Sequence, residues 1–133
     1  MRRLKSSRNR RAAVAVEMAV ISPVMFSILF GIIEFGWLFT VRHTMVNAAR
    51  EGARLGALPS VTGDEVEERT MQFLEPLGID DISTVTVTEP TEEDPTVTVL
   101  ITAPRSSVSL VGNFFGWTSG TIEGTASMRR EGM

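Results

Sequence analysis

The sequence predicts an α+β chain: a long N-terminal helix, transmembrane and continuing outside, then a small domain with a short helix and a three-stranded antiparallel sheet. Three observations predict it. Met18 to Val41 is an apolar run broken by a single charge, Glu34; three later segments alternate apolar and polar residues; and a T-x-x-E signature opens a helical repeat between run and strands. With 133 residues the chain has room for one small domain, which excludes a large two-domain enzyme.

The apolar run comes first. As a helix it is roughly 36 Å long at 1.5 Å per residue, enough to cross a hydrocarbon core of about 30 Å. Trp37 and Phe39 near its outer end suit an aromatic belt. The competing reading, a buried core helix, asks too much of a chain this short, which has little apolar surface left to enclose it. A cleaved secretory signal is also a poor fit, because the run exceeds the usual apolar region and passes straight into more helical sequence.

Charge orients the span. Residues 1–12 hold Arg2, Arg3, Lys5, Arg8, Arg10 and Arg11 with no acid, whereas residues 59–133 hold thirteen acids against four arginines, so the net charge of −3 is a cancellation between ends. Basic residues favour the cytoplasmic side. The expected organisation is a basic cytoplasmic leader (1–12), a transmembrane and continuing helix (13–57), and a small extracytoplasmic α+β domain (58–133). The expected location is the inner (cytoplasmic) membrane, single-pass.

Beyond the span, Val41, Met45, Ala48, Gly52 and Leu55 recur at helical spacing to about Ala57, where Pro59 stops the helix. This small-residue stripe admits close approach by the chain's own domain or by another subunit, and both readings stand. Thr62 to Glu65 forms a capping box, and Val66, Thr70, Phe73, Leu74 and Leu77 follow on one helix from about Gly63 to Glu75, closed by Pro76 and Gly78. Ser83–Glu89 and Thr96–Ala103 alternate as a hairpin around the charged loop EPTEEDP, and Ile122 to Arg129 reads as a third strand. The apolar stretch Ser107 to Trp117 reads as a short helix or a loop packed on the sheet.

Chemistry is scarce. There is no cysteine, and His43 is the single histidine, so a thiolate metal site or a histidine-based triad is excluded or nearly so. The acids of the EVEE and EED clusters lack a neighbouring nucleophile, phosphate loop or calcium-loop pattern and read as solvated charge. The leader is basic without interleaved aromatics, and positive-inside topology already accounts for it, so no nucleic-acid partner is expected. No catalytic residue, metal site or cofactor is expected.

Glu17 stands apart. It lies at the cytoplasmic start of the apolar run behind Ala13, Val14, Ala15 and Val16, where an ionised carboxylate is costly, on the order of 2.5–3.5 kcal/mol at a span's centre and less at its end. Its own leader, through Arg10 or Arg11, could compensate it; so could another molecule. Glu34, seventeen residues on and off the Glu17 face, reads as a solvated or interfacial charge.

Three blocks between Arg10 and Ala57 carry a resemblance: Val16-Glu17-Met18-Ala19; Gly31, Ile32, Ile33, Glu34, Phe35 and Gly36; and Asn47, Ala48, Ala49, Arg50, Glu51, Gly52, Ala53 and Arg54. In this order, behind a basic leader, they resemble the TadE-like family, pilin-like membrane proteins of tight adherence (Flp-type) pilus systems. The resemblance covers about the first 57 residues. It implies a non-catalytic pseudopilin or minor pilin whose leader a prepilin peptidase removes between Ala12 and Ala13, so that Glu17 becomes the fifth mature residue. The residue before such a cut is usually Gly; here it is Ala12, the next smallest. The implied partners are the lipid bilayer, the prepilin peptidase, other pilus or pseudopilin subunits and the inner-membrane assembly platform. In such assemblies the new terminal ammonium neutralises the glutamate of an adjacent subunit. The alternative is an unprocessed single-pass anchor holding a small extracytoplasmic domain at a secretion complex.

Overall fold

The computed structural model describes residues 6–116 and 119–130. In chain order it has α1 (Ser6–Gly56), α2 (Gly63–Leu74), β1 (Thr84–Thr88), β2 (Thr96–Pro104), a single turn α3 (Arg105–Val108) and β3 (Thr121–Arg129), with 3-10 turns at Glu75–Leu77 and Gly112–Phe115. The strands form one antiparallel sheet in the order β1-β2-β3. This is the predicted α+β arrangement. Arg2, Arg3 and Lys5 of the leader, and Trp117 of the apolar stretch, lie outside the described residues.

The chain divides into two compact units, Met1–Phe35 and Gly36–Met133, with the boundary inside α1. In the first, α1 begins at Ser6 and so takes in the later part of the basic leader. No glycine or proline between Ser6 and Ala12 interrupts it, and its alanine and arginines are good helix formers. The apolar side chains of this unit are exposed all round: Val20 is 69% and Ile32 66% accessible. Pro23 sits within the helix. Ser22 Oγ donates to the Met18 carbonyl at 2.6 Å and Ser27 Oγ to the Pro23 carbonyl at 2.8 Å, so neither hydroxyl is left bare on an apolar surface.

In the second unit the small-residue stripe docks on its own domain. Val41, Met45, Ala48, Ala49, Gly52, Ala53 and Gly56 are buried, while Leu55, expected on the stripe, is only half-buried. Trp37, expected in an interfacial belt, is packed against the core, and its indole Nε1–H donates to the Val108 carbonyl at 2.8 Å. α1 closes at Gly56, three residues before Pro59.

The capping box forms as read: Thr62 Oγ1 accepts from the Glu65 amide, and the Glu65 carboxylate accepts from the Thr62 amide at 2.9 Å. α2 buries Val66, Thr70 and Leu74. Phe73, expected among them, stands exposed under the Arg69 guanidinium, 5.0 Å from its ring centre. Seven residues after Val66 it lies at the margin of the buried face, and its ring turns to solvent. Gly78 closes the following turn at φ 64°, a conformation that suits glycine.

The strands register so that Val85, Ile101 and Gly124 form one core-facing row and Val87, Val99 and Ala126 the next. Met128 faces the same way but is exposed, being in the last row of an edge strand. The apolar stretch is helical turn and loop in succession: Val108 is buried, while Leu110 and Phe114 are exposed.

Candidate functional site on the long helix

Ala12, Ala13 and Glu17 lie within α1 and are exposed. Glu17 is seven positions after Arg10, close to two helical turns, so the two share a face about 10 Å apart along the axis. Among the described residues Glu17 forms no ion pair. Glu34 is half-buried and engaged within the chain. Gly31 is half-buried, Phe35 is exposed, and Gly36 has open space where a side chain would stand.

The run from Asn47 to Arg54 separates into two faces. Ala48, Ala49, Gly52 and Ala53 turn inward, and a Cβ on Gly52 would collide with Thr70 Oγ1 of α2 and come within 3.5 Å of Val99 of β2. Their smallness is therefore a packing requirement. On the outer face Arg54 grips Glu51 with two bonds, Nη2 to Oε1 at 2.6 Å and Nε to Oε2 at 2.9 Å. The hydrogen bond from Arg54, helped by its charge and outweighing some desolvation, holds the Glu51 carboxyl below the ordinary glutamate value and raises Arg54.

Asn47 and Arg50 are also exposed, but no packing uses them. With Phe39, Arg42, His43 and Val46 they line a shallow groove along α1. Sequence reasoning passed over this second stripe, although its spacing, 39, 42, 43, 46, 47 and 50, is that of one helix face.

Among the described residues no group of three or more His, Cys, Asp or Glu side chains is placed to hold a metal ion. One helix, within Arg10–Gly56, is long and apolar enough to cross a membrane, with a mean hydropathy of 2.1 and none of its most apolar stretch buried.

Residues 12–54 match the family model described as TadE-like protein. No curated protein and no solved structure matches the chain. The matched span opens at Ala12, includes Glu17 and ends at Arg54 of the Glu51–Arg54 pair, so all three sequence blocks fall within it. Over this segment of α1 the chain is similar to the TadE-like family.

Proposed function

We propose that the chain is a non-catalytic pseudopilin or minor pilin of tight adherence pilus assembly, clipped by a prepilin peptidase between Ala12 and Ala13 and assembled through α1. The observation that carries this reading is Glu17: an exposed acid in the part of α1 up to Phe35, whose apolar surface is exposed on every side, inside a family match that opens at residue 12. With Trp37 and Val41 engaged in the folded unit, the lipid-facing stretch runs back from Phe35. Ala12 to Phe35 spans roughly 36 Å, which carries Glu17 more than a turn inside its start. A carboxylate at that depth calls for a cation. Clipping at Ala13 creates one, an ammonium that a neighbouring copy presents. The N-terminus faces the cytoplasm and the acidic domain lies outside the inner membrane, beside other subunits and the assembly platform.

N-terminal mass measured with and without a prepilin peptidase tests the reading. A mature chain starting at Ala13, lost on Ala12→Phe, is expected. Glu17→Ala should leave membrane insertion intact and reduce pilus output. An unprocessed terminus together with normal output from Glu17→Ala rejects the proposal. One observation favours the unprocessed anchor instead: the Ala12–Ala13 bond lies inside α1 and must unwind before a protease can take it. The same mass measurement decides between them.

A further inference from the structure

The outer face of α1 beyond the apolar run is basic within an acidic unit. Arg42, His43, Asn47 and Arg50 are exposed in one groove with Phe39 and Val46, and the Phe39 and His43 rings meet edge to face, their centres 4.3 Å apart. Among the described residues neither Arg42 nor Arg50 takes part in an ion pair. From Phe35 to Arg50 there is no acid at all, although residues 59–133 are strongly acidic.

The complement of this groove is on the same molecule but on its other flank. α2 lies over β1. α1 lies over the other two strands: Gly52 and Gly56 meet Val99 and Val97 of β2, and Gly124 of β3 lies against Met45. On the helix the groove residues are turned about 130° from the sheet-facing positions, on the side opposite Glu51, whose carboxylate is within electrostatic reach of Arg69 of α2. The outward face of α2 carries Asp64, Glu67 and Glu68, all exposed and spaced i, i+3, i+4. A basic flank and an acidic flank on opposite sides cannot satisfy each other within one chain. They can satisfy each other between chains standing side by side.

We infer that the groove of one copy docks on the α2 acidic face of a second copy, with Arg42 and Arg50 against Asp64, Glu67 and Glu68. The two patches differ, so the contact is head-to-tail and leaves both ends open to further copies. A two-fold dimer would instead bring like charge against like. Anionic lipid is the other source of negative charge, and it is disfavoured by reach: with the lipid-facing stretch ending at Phe35, Arg50 is about 22 Å further along the helix, past the headgroup layer. The inference rests on the reading above in one respect, that copies stand parallel in one membrane.

The absence of native cysteine makes the test clean. Full-length protein carrying Asn47→Cys and Glu68→Cys together, oxidised in native membranes, should give linked dimers and higher ladders, while either substitution alone gives monomer. Adding Arg42→Glu and Arg50→Glu should lower the linked yield roughly tenfold, and a further Asp64→Arg with Glu67→Arg should restore it. Three results overturn the inference: no linkage in the double-cysteine chain, linkage by Asn47→Cys alone, or loss of yield that the compensating reversal does not recover. A chain that fails to link, and whose Arg42→Glu, Arg50→Glu form no longer floats with phosphatidylglycerol vesicles, assigns the groove to lipid and overturns it as well. Linkage in a chain that still begins at Met1 would keep this contact while removing the clipping step, so the two readings fail separately.

Discussion

Gly124 of β3 lies directly against Met45 of α1: a Cβ built on this glycine would stand 2.6 Å from the Met45 Cβ, 2.7 Å from its carbonyl carbon and 2.8 Å from the Val46 nitrogen. Two of those atoms are backbone and cannot swing aside. Gly124→Ala should therefore lower the stability of the folded unit by about 1–3 kcal/mol, the usual cost of forcing extra volume into a packed core. Gly36→Ala, which meets open space, should show no such loss. Thermal unfolding of the full chain in detergent, followed by circular dichroism, checks both.

Gly52 and Thr70 are expected to behave as a coupled pair. A Cβ at Gly52 meets the Thr70 hydroxyl, which is fully buried and donates to the Val66 carbonyl at 2.7 Å. Gly52→Ala and Thr70→Ala should each destabilise, whereas the double variant should lose less than the sum, with a coupling of roughly 0.5–3 kcal/mol. Additive losses in a denaturant series would show that the contact is not what limits residue 52.

Thr62→Ala should cost about 1 kcal/mol by exposing the first amides of α2. Because Glu65 completes the box by accepting from the Thr62 amide, Glu65→Ala in the Thr62→Ala background should add less than it does in the native chain. The same denaturant midpoints measure this.

The Glu51–Arg54 pair gives a pH-dependent outcome. The Glu51 carboxyl is held down in the folded state, so its contribution is present above the ordinary glutamate value and fades as pH falls through the lowered one. Both groups are exposed and water screens them, so the effect on global stability is small. The direct readout is the Glu51 carboxyl carbon followed by NMR through acid pH. Arg54→Gln should move its midpoint upward, and an unmoved midpoint refutes the assigned cause.

Elements whose signals are local could be read directly from the residues. Thr62 and Glu65 announce their own helix start, and the alternation in Thr84–Thr88 and Thr96–Pro104 implies strands without reference to anything distant. What was not legible depends on a partner far along the chain. Ala48, Gly52 and their neighbours are equally suited to a subunit contact until Val66, Thr70 and Val99 are seen to occupy the space. Trp37 reads as a membrane-interface residue because the Val108 carbonyl that holds it comes 71 positions later. Phe73 satisfies the helical period yet lies outside the core, because hydrophobicity alone does not say which side of a short helix meets the sheet. Of the site, Glu17 and the inward half of the Asn47–Arg54 run could be picked out. The basic groove could not, since arginines after an apolar run read first as topology.

The narrow alanine and glycine seam of α1 also acts as a ruler. Alanine and glycine have no rotamers to freeze, so the domain seats on the helix at little entropic cost and with almost no play. Sliding the helix by one residue would drive Arg50 or Arg54 beneath the sheet in place of Ala49 or Ala53. The sheet is thereby held at a single register along the Val41–Gly56 stretch of the helix.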